Sequence, residues 1–405
     1  MHKKRPQQSS AAAQDQEFGK YYRTLPNPLY AQLTANEPAV SPKPRRSWKK
    51  IFKRVAITLA VLLLCAGGWV GWKFVYNGSK IFGWRSVLGV FTSARLKGED
   101  QGRVNILLAG NSADDPGHSG ADLTDSIMVI SIDTKDNSGF MLSIPRDLYV
   151  NIPGHGYGKI NEAYEDGESD HFSESGYAGG GMGLLEKVVA QDFGLSANYY
   201  ALVNYAALRD AVNAVGGVTV NIQSSDPRGL YDPSPDLDNN RQPLVKLSNG
   251  EHTLNGIQAL GLARARGDHY GSYGFAASDF ERTANQRMLL LALKDKASSL
   301  GVLSNPITVG NLFDSLGNNV KTDLKLNEVR RLVTILKKIP SSQLTSEALT
   351  MPNGTNYLAS ETNRYGQSVL VPKAGTDDYS AIQAFVQQLI SAEASAGAQH
   401  SNSQN

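Results

Sequence analysis

Five polar residues carry most of the chemistry this sequence could do: Arg264, Arg266, Asp279, Arg282 and Gln286. Arg264 and Arg266 stand two apart, so they share a face only where the backbone is extended. Asp279, Arg282 and Gln286 fall at i, i+3 and i+7, one stripe of a helix. Its start is written as the capping box formed by Ser278 and Glu281. Leu289, Leu290 and Leu293 continue the stripe, which turns the polar residues inward. Inward-facing arginines are costly unless they meet anions. Three guanidiniums with an acid and an amide suit a phosphate or pyrophosphate. The competing reading is that they are solvated, or paired with carboxylates such as Asp268 or Asp279.

The elements that must position these residues are legible in outline. The runs 104–109, 126–132 and 139–144 are short, rich in Ile, Leu and Val, and bounded by turn residues, so they read as buried strands. The short polar link 133–138 makes the second and third a hairpin. An antiparallel pair sets the start of one strand beside the end of the next, so Asp125 and Arg146 should be neighbours. The loop 110–124, with Asp114, Asp115, His118 and Asp122, returns to the same place. Beyond it, 179–193 and 205–215 read as helices, the latter closed by Gly216–Gly217. Residues 198–203 and 218–222 read as strands and 224–246 as a long surface loop. Residues 256–263, 279–297 and 325–338 read as helices. The fold class is α/β, a mixed central sheet flanked by helices. The glycine cluster 176–183 lacks the G-K-[ST] of a phosphate loop. His118, His155 and His269 show no metal-ligand spacing.

The run 55–72 carries no charge and has the length of one membrane-spanning helix, with Trp69 and Trp72 suited to the far interface. Lys43, Arg45, Arg46, Lys49, Lys50, Lys53 and Arg54 precede it, which places residues 1–54 in the cytoplasm and the remainder outside. About fifty residues before the apolar run disfavour a cleaved signal peptide. The net charge of +2 hides an asymmetry: residues 1–54 hold twelve Lys/Arg and three Asp/Glu, leaving 28 and 35 for the rest. The basic part is a membrane-flanking tail, and the outer part, net acidic, is no nucleic-acid binder. The only cysteine, Cys65, lies in the apolar run, so no disulfide staples the outer domain. The organisation expected is a disordered basic tail (1–54), a transmembrane helix (55–76), a juxtamembrane connector (77–101), the α/β domain (102–390) and a disordered tail (391–405).

Six segments resemble, in order, the LytR-CpsA-Psr family of membrane-anchored cell-wall enzymes: L-T-D-S-I-M-V-I-S-I-D (123–133), M-L-S-I-P-R-D (141–147), K-I-N-E-A-Y (159–164), G-G-V-T-V-N (216–221), L-N-G-I-Q-A-L-G-L-A-R-A-R (254–266) and S-D-F-E-R-T-A-N-Q-R (278–287). The resemblance implies a transferase that moves a glycopolymer from a polyprenyl-pyrophosphate carrier to peptidoglycan. It assigns Arg146, Arg264 and Arg266 to the pyrophosphate, with Asp279, Arg282 and Gln286 completing that site. Asp279 is then either the base for the attacking hydroxyl or an orienter of Arg282. Asp125 matches a ligand for Mg²⁺, or Mn²⁺ in its place. A second metal-binding Asp is usual about twelve residues earlier, where this chain has Ala113; Asp114 is the nearest replacement, with Asp115 or Asp122 as substitutes. Asn285 stands where relatives often have an arginine. Lys159, Asn161 and Tyr164 are expected near the site on the same ground. The rival readings are a non-catalytic polyprenyl-phosphate-binding or regulatory membrane protein, and a hydrolase acting on the same carrier.

Overall fold

Side chains alternate across three adjacent strands, and that alternation builds two cores back to back. The strands are β1 (Arg103–Gly110), β2 (Ser126–Asp133) and β3 (Ser138–Ile144). Leu107, Ala109, Ile127, Val129, Phe140 and Leu142 enter one core, while Val104, Ile106, Met128, Ile132 and Met141 enter the other. Burial on both faces explains why these strands read as near-continuous apolar runs.

The protein is described here from a computed structural model covering residues 94–114, 122–236, 239–275, 279–299, 317, 319–350 and 356–403. The expected tail and the apolar run 55–72 lie outside these residues. Among the described residues no helix is long and apolar enough to cross a membrane.

Chain order continues with β4 (Tyr149–Ile152), β5 (Gly156–Lys159), helix α1 (Ala163–Ser169), α2 (Gly181–Phe193), β6 (Tyr199–Val203) and α3 (Tyr205–Ala214). Next come β7 (Val218–Ile222), β8 (Leu230–Asp236), β9 (Gln242–Leu247), β10 (Gly250–Leu254), α4 (Gly256–Arg264) and α5 (Asp279–Ser299). The chain closes with β11 (Val320–Thr322), α6 (Leu326–Leu336), β12 (Leu344–Ala348), β13 (Leu358–Thr362), β14 (Ser368–Pro372) and α7 (Ser380–Ser403). The central sheet runs β11-β6-β1-β2-β3-β12. It is mixed: β1 pairs β2 and β2 pairs β3 antiparallel, while β6 lies parallel to β1 and β12 parallel to β3. Helices α2 and α7 pack on the first core through Leu184, Val188, Ile382 and Val386. Leu290 and Leu291 of α5 and Ile335 of α6 pack on the second.

Two expectations need correction. Residues 224–246 are not a surface loop; they hold the hairpin β8–β9, with an irregularity between Asp232 and Pro235. Pro233 and Pro235 mask the strand pattern, and they are tolerated because β8 belongs to a two-stranded sheet, with no central ladder to interrupt. This hairpin, β7–β10 and helices α3, α4 and α5 share a satellite core containing Val220, Leu230, Val245 and Leu262. The stretch expected as a disordered tail from 391 continues α7 as far as Ser403.

Candidate functional site

Strand register brings the functional residues to one end of the sheet. Gly110, the last residue of β1, pairs with Ser126 at the start of β2 and with Val203 at the end of β6. Ile127 pairs with Ile144 at the end of β3. Asn111, Asp125, Arg146 and Tyr205 therefore sit just past neighbouring strand ends. The expected pairing forms: Arg146 Nη1 donates to Asp125 Oδ1 at 2.5 Å. Asn161 clips the turn from behind, its carbonyl accepting from Thr124 N (3.2 Å) and its amide donating to the Arg146 carbonyl (3.3 Å).

Helices α4 and α5 complete the wall. Arg264 is the last residue of α4, and the next, Ala265, is fully buried and extended at φ −62°, ψ 131°. That extended step lets Arg264 and Arg266 reach the same cavity. Arg282 Nη2 donates to the Asp125 carbonyl (2.8 Å) and lies 2.7 Å from Asp279 Oδ1. The same carboxylate oxygen is 3.5 Å from Arg266 Nε. Gln286 ties the parts together: Oε1 accepts from Ser126 Oγ (2.9 Å), and Nε2 donates to the Ala263 carbonyl (3.0 Å). Ser278 of the expected capping box lies outside the described residues.

Asp125, Ser126, Arg264, Arg266, Arg282 and Gln286 line a cavity of about 330 Å³ with two characters, while Arg146 and Asp279 do not line it and meet its wall through Asp125 and through Arg282 and Arg266. One part is polar, with Asp125, Arg264, Arg266, Asp268, Arg282 and Gln286. The other is apolar, with Leu108, Met128, Leu208, Leu260, Leu289 and Leu290. Arg282 is only 4 % exposed. Burial lowers the pKa of its guanidinium; Asp279 opposes this, and Arg266 and Arg146 add to the lowering. For Arg146 burial also acts to lower the pKa, but the Asp125 carboxylate outweighs it and the net shift is upward. Arg146 Nε, Arg282 Nε and Asp279 Oδ1 are buried without hydrogen-bond partners, so the 2.7 Å Arg282–Asp279 approach is an ion pair off hydrogen-bond alignment.

The β8–β9 hairpin supplies residues that sequence reasoning missed. Asp232, 1 % exposed, accepts from Arg266 N (3.3 Å) and Gly267 N (3.1 Å) through Oδ2 and from Ser234 N (3.0 Å) through Oδ1. Burial acts to raise its pKa, but these hydrogen bonds prevail and the net shift is downward. It fixes the turn after α4, where Gly267 takes φ 68°. Asp236 Oδ1 stands 3.8 Å from Arg264 Nη1. Tyr205 also lines the cavity, with the Arg264 guanidinium 5.0 Å over its ring. The available signals were the two acids flanking the prolines in D-P-S-P-D (232–236) and an aromatic directly after Asn204.

The donor set fits a hard divalent cation through one carboxylate, Asp125, at the cavity wall beside Asn111 and Ser126. Asp114 does not line the cavity. Its Oδ1 accepts from Tyr205 N (3.1 Å) and its Oδ2 from Ala206 N (2.7 Å), at the start of α3. Asp115 and His118 lie outside the described residues. Asn285 is buried with Nδ2 unpartnered, and it does not line the cavity. Lys159 pairs with Asp147 (2.6 Å) and Tyr164 accepts from Lys321 (3.2 Å), both off the cavity wall. His155 lies between Asp166 (3.6 Å) and Asp170 (3.1 Å), and His269 is exposed.

With this geometry in hand, the comparisons with known proteins are specific. The model of the LytR_cpsA_psr family matches residues 86–370. The polyisoprenyl-teichoic acid–peptidoglycan teichoic acid transferase TagT of Bacillus subtilis is 31% identical over 312 residues, 75% of this chain and 88% of that protein. TagU of Oceanobacillus iheyensis, which bears the same transferase name, is 33% identical over 300 residues, 72% of this chain and 82% of that protein. Among solved structures, TagT bound to LI-WTA superposes with a TM-score of 0.52 at 25% identity, covering 72% of this chain and 90% of that one.

Proposed function

The chain belongs to the LytR-CpsA-Psr family, and on that premise we propose that it is a membrane-anchored phosphotransferase that moves a glycopolymer from a polyprenyl-pyrophosphate carrier to peptidoglycan. One observation carries this reading: Arg264, Arg266 and Arg282 share the wall of one cavity with leucines and a methionine, and Arg146 is paired with Asp125 on that wall. An anionic head joined to an apolar tail matches both kinds of lining. The transferase names of TagT and TagU agree with it.

Planar guanidiniums grip phosphate oxygens bidentately. Phosphoryl transfer needs such neutralisation and in-line placement more than covalent help. The acceptor hydroxyl oxygen attacks the glycan-bearing phosphorus. The P–O bond to the second phosphate breaks, and polyprenyl monophosphate leaves with that electron pair. The glycan stays on the acceptor through a phosphodiester, and the hydroxyl proton passes to water at the open mouth. Asp279 orients Arg282 and Arg266, the role its 2.7 Å and 3.5 Å contacts favour over that of base. Asp125 would hold Mg²⁺ or Mn²⁺, which supplies further charge neutralisation at the phosphates. Residues 1–54 are placed in the cytoplasm and the α/β domain outside, on the charge asymmetry about the apolar run 55–72.

The test is a transfer assay with a lipid-pyrophosphate glycan and peptidoglycan as acceptor. Covalent glycan on peptidoglycan, lost on chelation and restored by Mg²⁺, is expected. Tight carrier binding without transfer would favour the non-catalytic reading, and free glycan as sole product the hydrolase.

A further inference from the structure

The start of α3 has an unusual arrangement. Its first amides are met by side chains: Tyr205 N and Ala206 N by the two oxygens of Asp114, and Ala207 N by Asn204 Oδ1 at 2.9 Å. A carboxylate suits a helix N-terminus, where unpaired amides and the aligned peptide dipoles favour negative charge. The first residue of this helix is Tyr205, whose ring forms part of the cavity wall and lies 5.0 Å beneath the Arg264 guanidinium. A guanidinium at that distance from an aromatic face is attracted to it. One line of contacts thus runs from the loop after β1, through the helix start, to a cavity arginine.

We infer that Asp114 and Tyr205 are positioning residues for Arg264, Asp114 by fixing the first turn of α3 and Tyr205 by seating the guanidinium toward the pyrophosphate. The inference rests on the proposed function and deepens it. It gives Asp114 a task other than metal ligation: each of its oxygens accepts from an amide at the start of α3, so a cation there would have to share them with a helix cap. Two residues that carry no positive charge then set the aim of one that grips the anion.

The experiment measures geranyl pyrophosphate binding to the full-length protein by calorimetry, in EDTA and in Mg²⁺, beside the Mg²⁺ concentration for half-maximal transfer. Asp114→Ala is expected to weaken binding about three- to tenfold by the same factor in both buffers, the range a lost cap converts to. The Mg²⁺ midpoint should stay put. Asp114→Asn, which keeps one accepting oxygen, should recover most of the loss. Tyr205→Leu should weaken binding about as much, while Tyr205→Phe should keep most of the affinity. The Asp114→Ala, Tyr205→Leu double variant should lose no more than the worse single, because the residues act in series. A raised Mg²⁺ midpoint in both Asp114 variants, with normal binding in EDTA, overturns the inference in favour of a metal ligand. Normal binding by every variant in both buffers overturns it alone and leaves the proposed function standing. A wild-type protein that binds geranyl pyrophosphate in neither buffer overturns both.

Discussion

On one face of the sheet Arg282 is buried among Arg146, Arg266 and Asp279, while on the other α2, which packs on the first core, holds Glu186 buried and Asp192 half-buried. Burial raises the Glu186 carboxyl to about 7 and the Asp192 carboxyl to about 7. A carboxyl in that position becomes neutral by taking a proton. Asp192 Oδ2, buried without a hydrogen-bond partner, has room for one. A guanidinium has no such exit, because it stays protonated in proteins. The two regions therefore carry different information. Buried acids can look after themselves, whereas crowded arginines sharing the Asp279 carboxylate call for an anion from outside.

The largest effects should come where that need is met by ligand. Replacing Arg264 or Arg266 with Ala removes charge-assisted bonds of about 1.5–3 kcal/mol each. Transfer should fall at least about tenfold per residue, at about 1.4 kcal/mol per decade. Lysine should rescue poorly, since a point charge does not reproduce a planar fork. The two losses should not add, because both residues contact one ligand. Melting midpoints should hardly move. The contrast breaks if the midpoints fall while carrier binding survives, since the arginines would then serve Asp236 and Asp279 as structural pairs.

Arg287 sharpens the comparison from within α5. It is 7 % exposed, its Nε donates to Ser346 Oγ and its Nη1 to Ser143 Oγ, and burial lowers its guanidinium to about 10. It does not line the cavity. Arg287→Ala leaves a hole between α5 and strands β3 and β12, costing about 2 kcal/mol of stability. Transfer per folded molecule should match the parent. A tenfold loss of turnover with an unmoved midpoint would make Arg287 part of the site and erase the distinction drawn along this helix.

What was legible follows from how local each signal is. The Asp125–Arg146 pair came from strand polarity alone, because a short polar link leaves a hairpin little freedom. The joint reach of Arg264 and Arg266 came from their spacing, which Ala265 honours by breaking the helix. Asp232 and Asp236 stayed hidden because prolines and acids disguise β8, and their roles depend on contacts about thirty residues away in sequence. Asp114 is expected as a second metal ligand on the resemblance alone, as the acid nearest to Ala113. Its contact with the Tyr205 and Ala206 amides at the start of α3 was not legible, because it depends on a helix about ninety residues away in sequence.

The acidic side is tested by an effect confined to one pH window. Glu186 holds its proton up to about pH 7 when folded, against an ordinary value of 4.5. Between those values the folded state binds more protons than the unfolded chain, so stability falls as pH rises through that window and levels off above it. Below about pH 4.5 both states are protonated and the group contributes no slope. Glu186→Gln keeps an oxygen for the Ala178 amide, which Oε2 now accepts at 2.9 Å, and removes the titration. The variant should gain about 1–3 kcal/mol at pH 8 and almost nothing at pH 4.5, at about 1.4 kcal/mol per pH unit. Asp192 titrates over a similar range, so some slope should persist until Asp192→Asn is added. Transfer at a temperature where both proteins are folded should be the same, because neither acid lines the cavity. Parallel stability curves for parent and Glu186→Gln would show that Glu186 is ionised when folded. Its burial would then need a cation, just as the arginines need an anion, and the two faces of the sheet would differ in sign alone.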